Sequence, residues 1–236
     1  MPPAPLRTDA PLKLVAAGDT HIGLRDHNED TILLRRDLDL FVLADGAGGD
    51  NAGSVASAMA TASIAHYFEE TQELDSPEFD QLGLPMAARR LAAAVQQANG
   101  EVLELARAQD KYRGMGTTVI AAHMLPHRGV VHLAWVGDSR CYRLREGKLD
   151  LLTRDHSLEN DVLELAPTLE AEREAALPRN VVTRALGMTS TVRVSVCSYE
   201  LYPGDRYLPC SDGLSAELDA AQIADALLEG SDAEAQ

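Results

Sequence analysis

Hydrophobic periodicity changes twice along this chain, and that pattern limits the folds open to it. Residues 12–17, 31–36 and 41–44 read as short strands, the last two joined as antiparallel neighbours by the polar Asp37-Leu38-Asp39. Over 53–70 and 85–108, alanine, valine, leucine and methionine recur at helical spacing, with a connector of prolines, glycine and acids between. Past Gly114 the period returns to two. Residues 117–124, 129–136, 140–145 and 148–152 are β-type runs punctuated by turn residues, a pattern that predicts a meander of hairpins. An acidic, helix-favouring insert at 157–177 precedes strands at 192–201 and 206–210, and Asp219 is the expected N-cap of a short helix ending near Leu228. Strands in runs and helices in runs argue for an α+β fold, antiparallel sheets covered by paired helices. At 236 residues one domain is expected, with 1–11 a flexible lead, 157–177 a mobile flap and 229–236 a polar tail.

Charge narrows the function. Lysine plus arginine number 21 against 37 aspartate plus glutamate, a net charge of −16 that repels a polyphosphate duplex unless a basic patch intervenes. No such patch is present, so nucleic acid is not an expected partner. The N-terminus lacks the basic and apolar segments of a signal peptide, and no window approaches the roughly 20 apolar residues of a membrane span. A cytoplasmic monomer is the expectation, and Cys141, Cys197 and Cys210, odd in number and set in apolar runs, read as reduced buried thiols.

The placement of the acids is the informative feature. Asp45-Gly46 ends one apolar strand and Asp212-Gly213 ends another, which presents two carboxylates at strand ends beside glycines that let an ion approach the backbone. Asn28-Glu29-Asp30 adds two carboxylates before a strand, and Gly137-Asp138-Ser139 sets another in a tight turn. Each pair alone is an ordinary turn sequence. The histidines carry less: His123 and His132 fall on strands and His127 in the turn between them, without zincin spacing, so a surface or sheet-packing place is preferred to zinc. His156 is expected to be structural, capping the following helix region or lying near the flap. Residues 46–49 lack the Lys-Ser/Thr of a P-loop, Gly-x-Ser-x-Gly is absent, and Ser57, Ser139, Trp135 and Tyr142 read as turn or packing residues.

Taken in order, the motifs resemble those of the metal-dependent serine/threonine protein phosphatases, the PPM family of type 2C, and its bacterial branch in particular. The resemblance is carried by Gly23-Leu24-Arg25-Asp26-His27-Asn28-Glu29-Asp30, Ala44-Asp45-Gly46-Ala47-Gly48-Gly49, Gly114-Met115-Gly116-Thr117-Thr118 and Val136-Gly137-Asp138-Ser139-Arg140. Leu152-Thr153-Arg154-Asp155-His156-Ser157, Thr183-Arg184-Ala185-Leu186-Gly187 and Cys210-Ser211-Asp212-Gly213-Leu214 continue it. It implies a β-sandwich flanked by helix pairs (α-β-β-α) with two Mn²⁺ or Mg²⁺ ions at one end, and phosphorylated proteins, the products of a Ser/Thr kinase, as substrates. By motif position Asp45 bridges both ions, the Gly46 carbonyl serves one and Asp212 binds the other. Glu29 and Asp30 hold metal-bound waters, Arg25 clamps the phosphate, and Asp138 with Asp212 serves a weaker third ion. The chemistry agrees, because a phosphomonoester dianion hydrolyses very slowly without help and needs charge neutralised and hydroxide supplied at neutral pH.

Two departures from the family pattern qualify the resemblance. Where some members carry a histidine that protonates the leaving alcohol, this chain has Ala47, so a water or another histidine must substitute. The Asp-Asn pair that usually follows, with its helix and final strand, is absent before Gln236. Either the sequence is a truncated form, or the protein lacks one metal ligand and an inner strand. The alternative function is therefore an impaired, phosphatase-like binding or regulatory domain.

Overall fold

A computed structural model describes residues 12–49, 51–71, 78–81, 83–166 and 181–230. β1 (Asp30–Arg35) and β2 (Leu40–Ala47) form the expected antiparallel pair, linked by a 3-10 turn that Asp39 closes in the left-handed conformation, φ 50°. α1 (Ala52–Glu70) and α2 (Met86–Ala108) follow, and small residues let them approach closely: Ala56 and Ala60 on one and Ala94 and Ala98 on the other are fully buried. β3 (Gly116–Thr117), β4 (Val119–Leu125), β5 (Val130–Val136), β6 (Arg140–Arg145) and β7 (Lys148–Leu151) succeed them. After α3 (Leu158–Leu165) come β8 (Ser195–Glu200), β9 (Arg206–Cys210), a single turn α4 (Asp212–Ser215) and α5 (Ala220–Glu229).

Two antiparallel sheets result. One runs β1-β2-β4-β5-β8, with β3 paired to the end of β2, and the other runs β7-β6-β9. The expected single meander is thus divided. Gly137, at φ 110°, turns the chain out of the first sheet, so β5 takes β8 as its neighbour and β6 takes β9.

Alternation along the strands sorts the core. Leu40, Val42, Val119, Ala121, Ala134 and Val136 pack with α1 and α2. Phe41, Ile120, Ala122, Leu133 and Trp135 point the other way and meet Cys141, Leu152 and Tyr207 of the second sheet and its connections. Tyr142, Leu208 and Cys210 pack on Ile223 and Leu227 of α5. The cysteines are free; Cys141 and Cys210 are buried and Cys197 half-buried.

Other expectations need correction. Residues 12–17 form no ladder among the described residues; Leu14 and Ala16 pack on the cluster shared by the two sheets, which explains their alternation, but no strand takes up their backbone groups. Val192 is buried in the helix-side core rather than in a strand. His156 does not cap α3; Ser157 does, its hydroxyl accepting from the Asn160 N–H at 3.3 Å. The start of the expected flap is tied down, with Leu158 N–H donating to Val181 O at 2.9 Å and Arg154 to Asn160 O at 2.8 Å. The rest of the flap (167–180), the lead (1–11) and the end of the tail (231–236) lie outside the described residues. Among the described residues no helix is long and apolar enough to cross a membrane.

Candidate metal and phosphate site

The first ladder pair of β1 and β2 sets Asp30 directly opposite Asp45. From the second sheet, Ser211 at the end of β9 donates its hydroxyl to Asp30 Oδ2 at 2.9 Å, which brings the adjacent Asp212 to the same place. Asp45 consequently stands within electrostatic reach of both Asp30 and Asp212. Burial, then the charges of Asp30 and Asp212, push the Asp45 acid up to about 8.

The backbone around Asp45 is held from both sides. Its carbonyl accepts from the Thr118 N–H and the Thr117 hydroxyl, each at 2.8 Å, and its N–H donates to Thr118 Oγ1 at 3.3 Å. Gly46 N–H donates to Glu29 O at 3.0 Å, and Ser57 of α1 donates to that same carbonyl at 2.6 Å. A β-carbon on Gly46 would stand 2.0 Å from the Gly53 carbonyl, so only glycine lets the end of β2 rest on the start of α1. The Glu29 carboxylate lies against that same first turn, its Oε1 2.5 Å from where a Gly53 β-carbon would sit, at the helix end that favours negative charge.

Asp138 is carried by the crossover between the sheets. Ser139 and Thr118 share a buried 2.7 Å hydroxyl contact, which ties that turn to the Asp45 support. Gly137 N–H donates to His156 Nδ1 at 3.0 Å, so the proton of the neutral ring sits on Nε2 and is donated to Ser195 Oγ at 2.8 Å. His156 is thus structural, stacked on Trp135 at 6.2 Å between ring centroids. Burial raises the Asp138 acid, the charges of Asp212 and Asp155 add to the rise, and Arg140 partly opposes them. Arg140 itself is held by Asp155 through a fork of contacts at 2.7–3.1 Å.

Arg25 is not drawn into this cluster. It sits exposed on the loop before β1, in a turn closed by Arg25 N–H to Ile22 O at 3.2 Å, and makes no ion pair among the described residues. It nevertheless lines the same groove as Glu29, Asp30, Asp45 and Asp212. Motif reading assigned no role to Thr117, Thr118 or Ser211, and treated Ser57 and Ser139 as packing. For Ser139 and Ser211 the signal was a hydroxyl residue next to an acid; Thr117, Thr118 and Ser57 have no acid within two positions and gave none.

The donor set fits a hard divalent cation: only oxygen ligands converge, and their mutual crowding demands positive charge. Among the described residues no three acidic, histidine or cysteine side chains stand close enough to hold a metal ion by themselves. Carboxylates so arranged leave positions to water and phosphate, as magnesium-type sites do.

Residues 17–233 match the family profile Protein phosphatase 2C. The chain is 36% identical over 210 residues to the serine/threonine phosphatase stp of Listeria innocua, covering 86% of this chain and 79% of that one. It superposes on the crystal structure of the Mycobacterium tuberculosis serine/threonine phosphatase PstP/Ppp with TM-score 0.73 and 32% identity, covering 89% of this chain and 83% of the other. The catalytic domain of PstP in complex with two manganese ions matches with TM-score 0.68, 32% identity and coverage of 89% and 82%. The chain belongs to the protein phosphatase 2C family.

Proposed function

We propose that this chain hydrolyses phosphoserine and phosphothreonine in proteins in a metal-dependent reaction. The observation that carries the reading is the meeting of Asp30, Asp45 and Asp212 at adjoining ends of two sheets, fastened by the Ser211–Asp30 hydrogen bond. Asp45, the Gly46 carbonyl and Asp212 are the direct ligands in this reading, with Glu29 and Asp30 orienting bound waters. Divalent ions held there supply charge neutralisation for the phosphate dianion and an activated water for its attack. Arg25, whose guanidinium can fork onto two phosphate oxygens, binds and orients the substrate from the rim. The surrounding hydroxyls of Thr117, Thr118 and Ser139 hold the acids in place before substrate arrives.

The finer assignments belong to the same reading. These residues would hold two Mn²⁺ or Mg²⁺ ions, and Asp138 with Asp212 would serve a weaker third. The two sheets form a sandwich in an α-β-β-α order within a single domain, supported by a core cluster that both sheets share and by helices packed outside each. The enzyme works as a cytoplasmic monomer on products of a Ser/Thr kinase. An inert binding domain is not favoured, because the similar proteins named above are serine/threonine phosphatases.

Manganese-dependent phosphate release from a phosphothreonine peptide is the expected result, with Asp45→Asn and Asp212→Asn losing it. Release that persists in EDTA and in both variants removes the reading.

A further inference from the structure

A pocket of about 240 Å³ lies at the base of α3 and shares no lining residue with the groove that holds the acid cluster. Trp135 of β5 stands opposite Ser195 of β8 in the ladder, and His156 joins the two. Its ring stacks on the indole, and its Nε2–H is donated to the Ser195 hydroxyl at 2.8 Å. That hydroxyl makes no other hydrogen bond among the described residues, so its own proton is left for an acceptor in the pocket. Three guanidiniums line the same space, those of Arg154, Arg184 and Arg193, and the last two lie within electrostatic reach of the His156 ring.

These arginines are poorly satisfied by the fold. Arg184 meets Asp161 and Arg154 meets Glu164 at 3.4 Å each, longer than the roughly 2.8 Å of a strong charge-assisted bond. Loose pairs of partly exposed side chains are worth little, so either arginine can turn to a better partner. Arg193 is exposed and makes no ion pair or side-chain hydrogen bond among the described residues. The remaining acid of the lining, Asp155, is occupied by the Arg140 fork. Three guanidiniums therefore face two carboxylates, an excess of positive charge on a chain whose net charge is −16.

We propose that this pocket binds a phosphate dianion, either free or carried as a phosphomonoester on a protein side chain, and does so without a metal. Two guanidinium forks and the Ser195 hydroxyl converge on a tetrahedral group with several acceptor oxygens, whereas a carboxylate fills only one fork. A divalent cation is repelled by the same arginines. A nucleotide is not favoured, because Trp135 is buried and His156 already takes its face, which leaves no aromatic platform for a base.

Trp135 is the single tryptophan of the chain, lines the pocket and donates its indole N–H to Arg154 O at 2.9 Å, so its fluorescence reports occupancy. The full chain is titrated in EDTA with inorganic phosphate and, separately, with a phosphothreonine peptide, chloride holding the ionic strength constant. A saturable change is expected. Arg193→Gln, which removes a side chain without a partner in the fold, should weaken binding by about tenfold or more. Asp45→Asn should leave it unchanged, which separates this pocket from the acid cluster. Tighter binding of the peptide identifies a protein-borne phosphate as the ligand, and tighter binding of inorganic phosphate identifies the free ion; both uphold the site. Absence of a saturable change, an equal change on adding chloride alone, unchanged affinity in Arg193→Gln, or loss of binding in Asp45→Asn would each overturn it. The titration needs neither metal nor turnover, so its failure leaves the phosphatase reading standing.

Discussion

The Ser211 hydroxyl donates to the Asp30 carboxylate at 2.9 Å, joining residues 181 positions apart in sequence and two different sheets at the point where the acids gather. This bond sets where Asp212 stands relative to Asp45. Ser211→Ala should leave the fold intact yet weaken manganese binding by about ten- to a hundredfold, the usual cost of losing an orienting partner. Calorimetric titration of Ser211→Ala against the parent checks it, and unchanged affinity would show that Asp212 is held by other contacts.

Asp45 is buried against two other carboxylates, so without a cation folding at neutral pH requires it to take up a proton that it does not hold in the unfolded chain. Asp45→Asn should abolish phosphatase activity while raising the thermal midpoint of the metal-free protein. The measurement is a pair of melting curves in EDTA at neutral pH. A lower midpoint for the variant would mean that the carboxylate makes a favourable contact that Asn cannot.

Much of this was legible in the chain, and what was not has a physical cause. Both ends of β6 and β9, the Asp219 cap and the long helices follow from local patterning, since each needs only nearby residues. The sheet partners do not. Residues 129–136 and 140–145 look like a hairpin because the turn between them is short, yet Gly137 sends the second into another sheet. Residues 12–17 alternate because they pack, not because they pair. At the site, Asp30, Asp45 and Asp212 were visible as strand-end acids, but the hydroxyls of Thr118, Ser139 and Ser211 act through contacts that only the folded topology creates.

Acid should weaken the fold through its buried histidines. Burial, then the Arg184 charge, lowers His156 to about 4, and burial, then Arg90, lowers His123 to about 3. Each is neutral when folded and takes up a proton on unfolding below the ordinary histidine range near about 6.5. Their contribution is therefore full above that range and declines as pH falls toward the folded values. Urea midpoints should drop progressively from pH 7 to pH 4.5, and His156→Gln should flatten part of that slope, with His123 and His132, the latter also lowered by burial, contributing to the remainder. An unchanged slope in the variant would show that His156 carries no share.

Asp219 caps α5 through a reciprocal box, accepting from Gln222 N–H at 2.9 Å while the Gln222 side chain accepts from Asp219 N–H at 2.9 Å. Asp219→Ala should cost about 1 kcal/mol, a shift of roughly 2–4 °C in a chain of this size. Phosphatase activity below the transition should not change, because α5 packs on the outer face of the second sheet through Ile223 and Leu227.

Gly137→Ala is the sharpest test of how the crossover serves the site. A β-carbon there would lie 2.6 Å from the Thr118 side chain, and the residue sits at φ 110°, a region that L side chains rarely adopt. Relief requires moving either Thr118, which bonds the Asp45 N–H, or the turn that carries Asp138. Strain of about 1–3 kcal/mol is expected, with manganese affinity falling as well. A Thr118→Ser change in the same background removes the methyl, one of two Thr118 side-chain carbons 2.6 Å away, and keeps the hydroxyl, so it should recover part of the affinity. Recovery of stability without recovery of affinity would separate the turn's fold role from its hold on the acids.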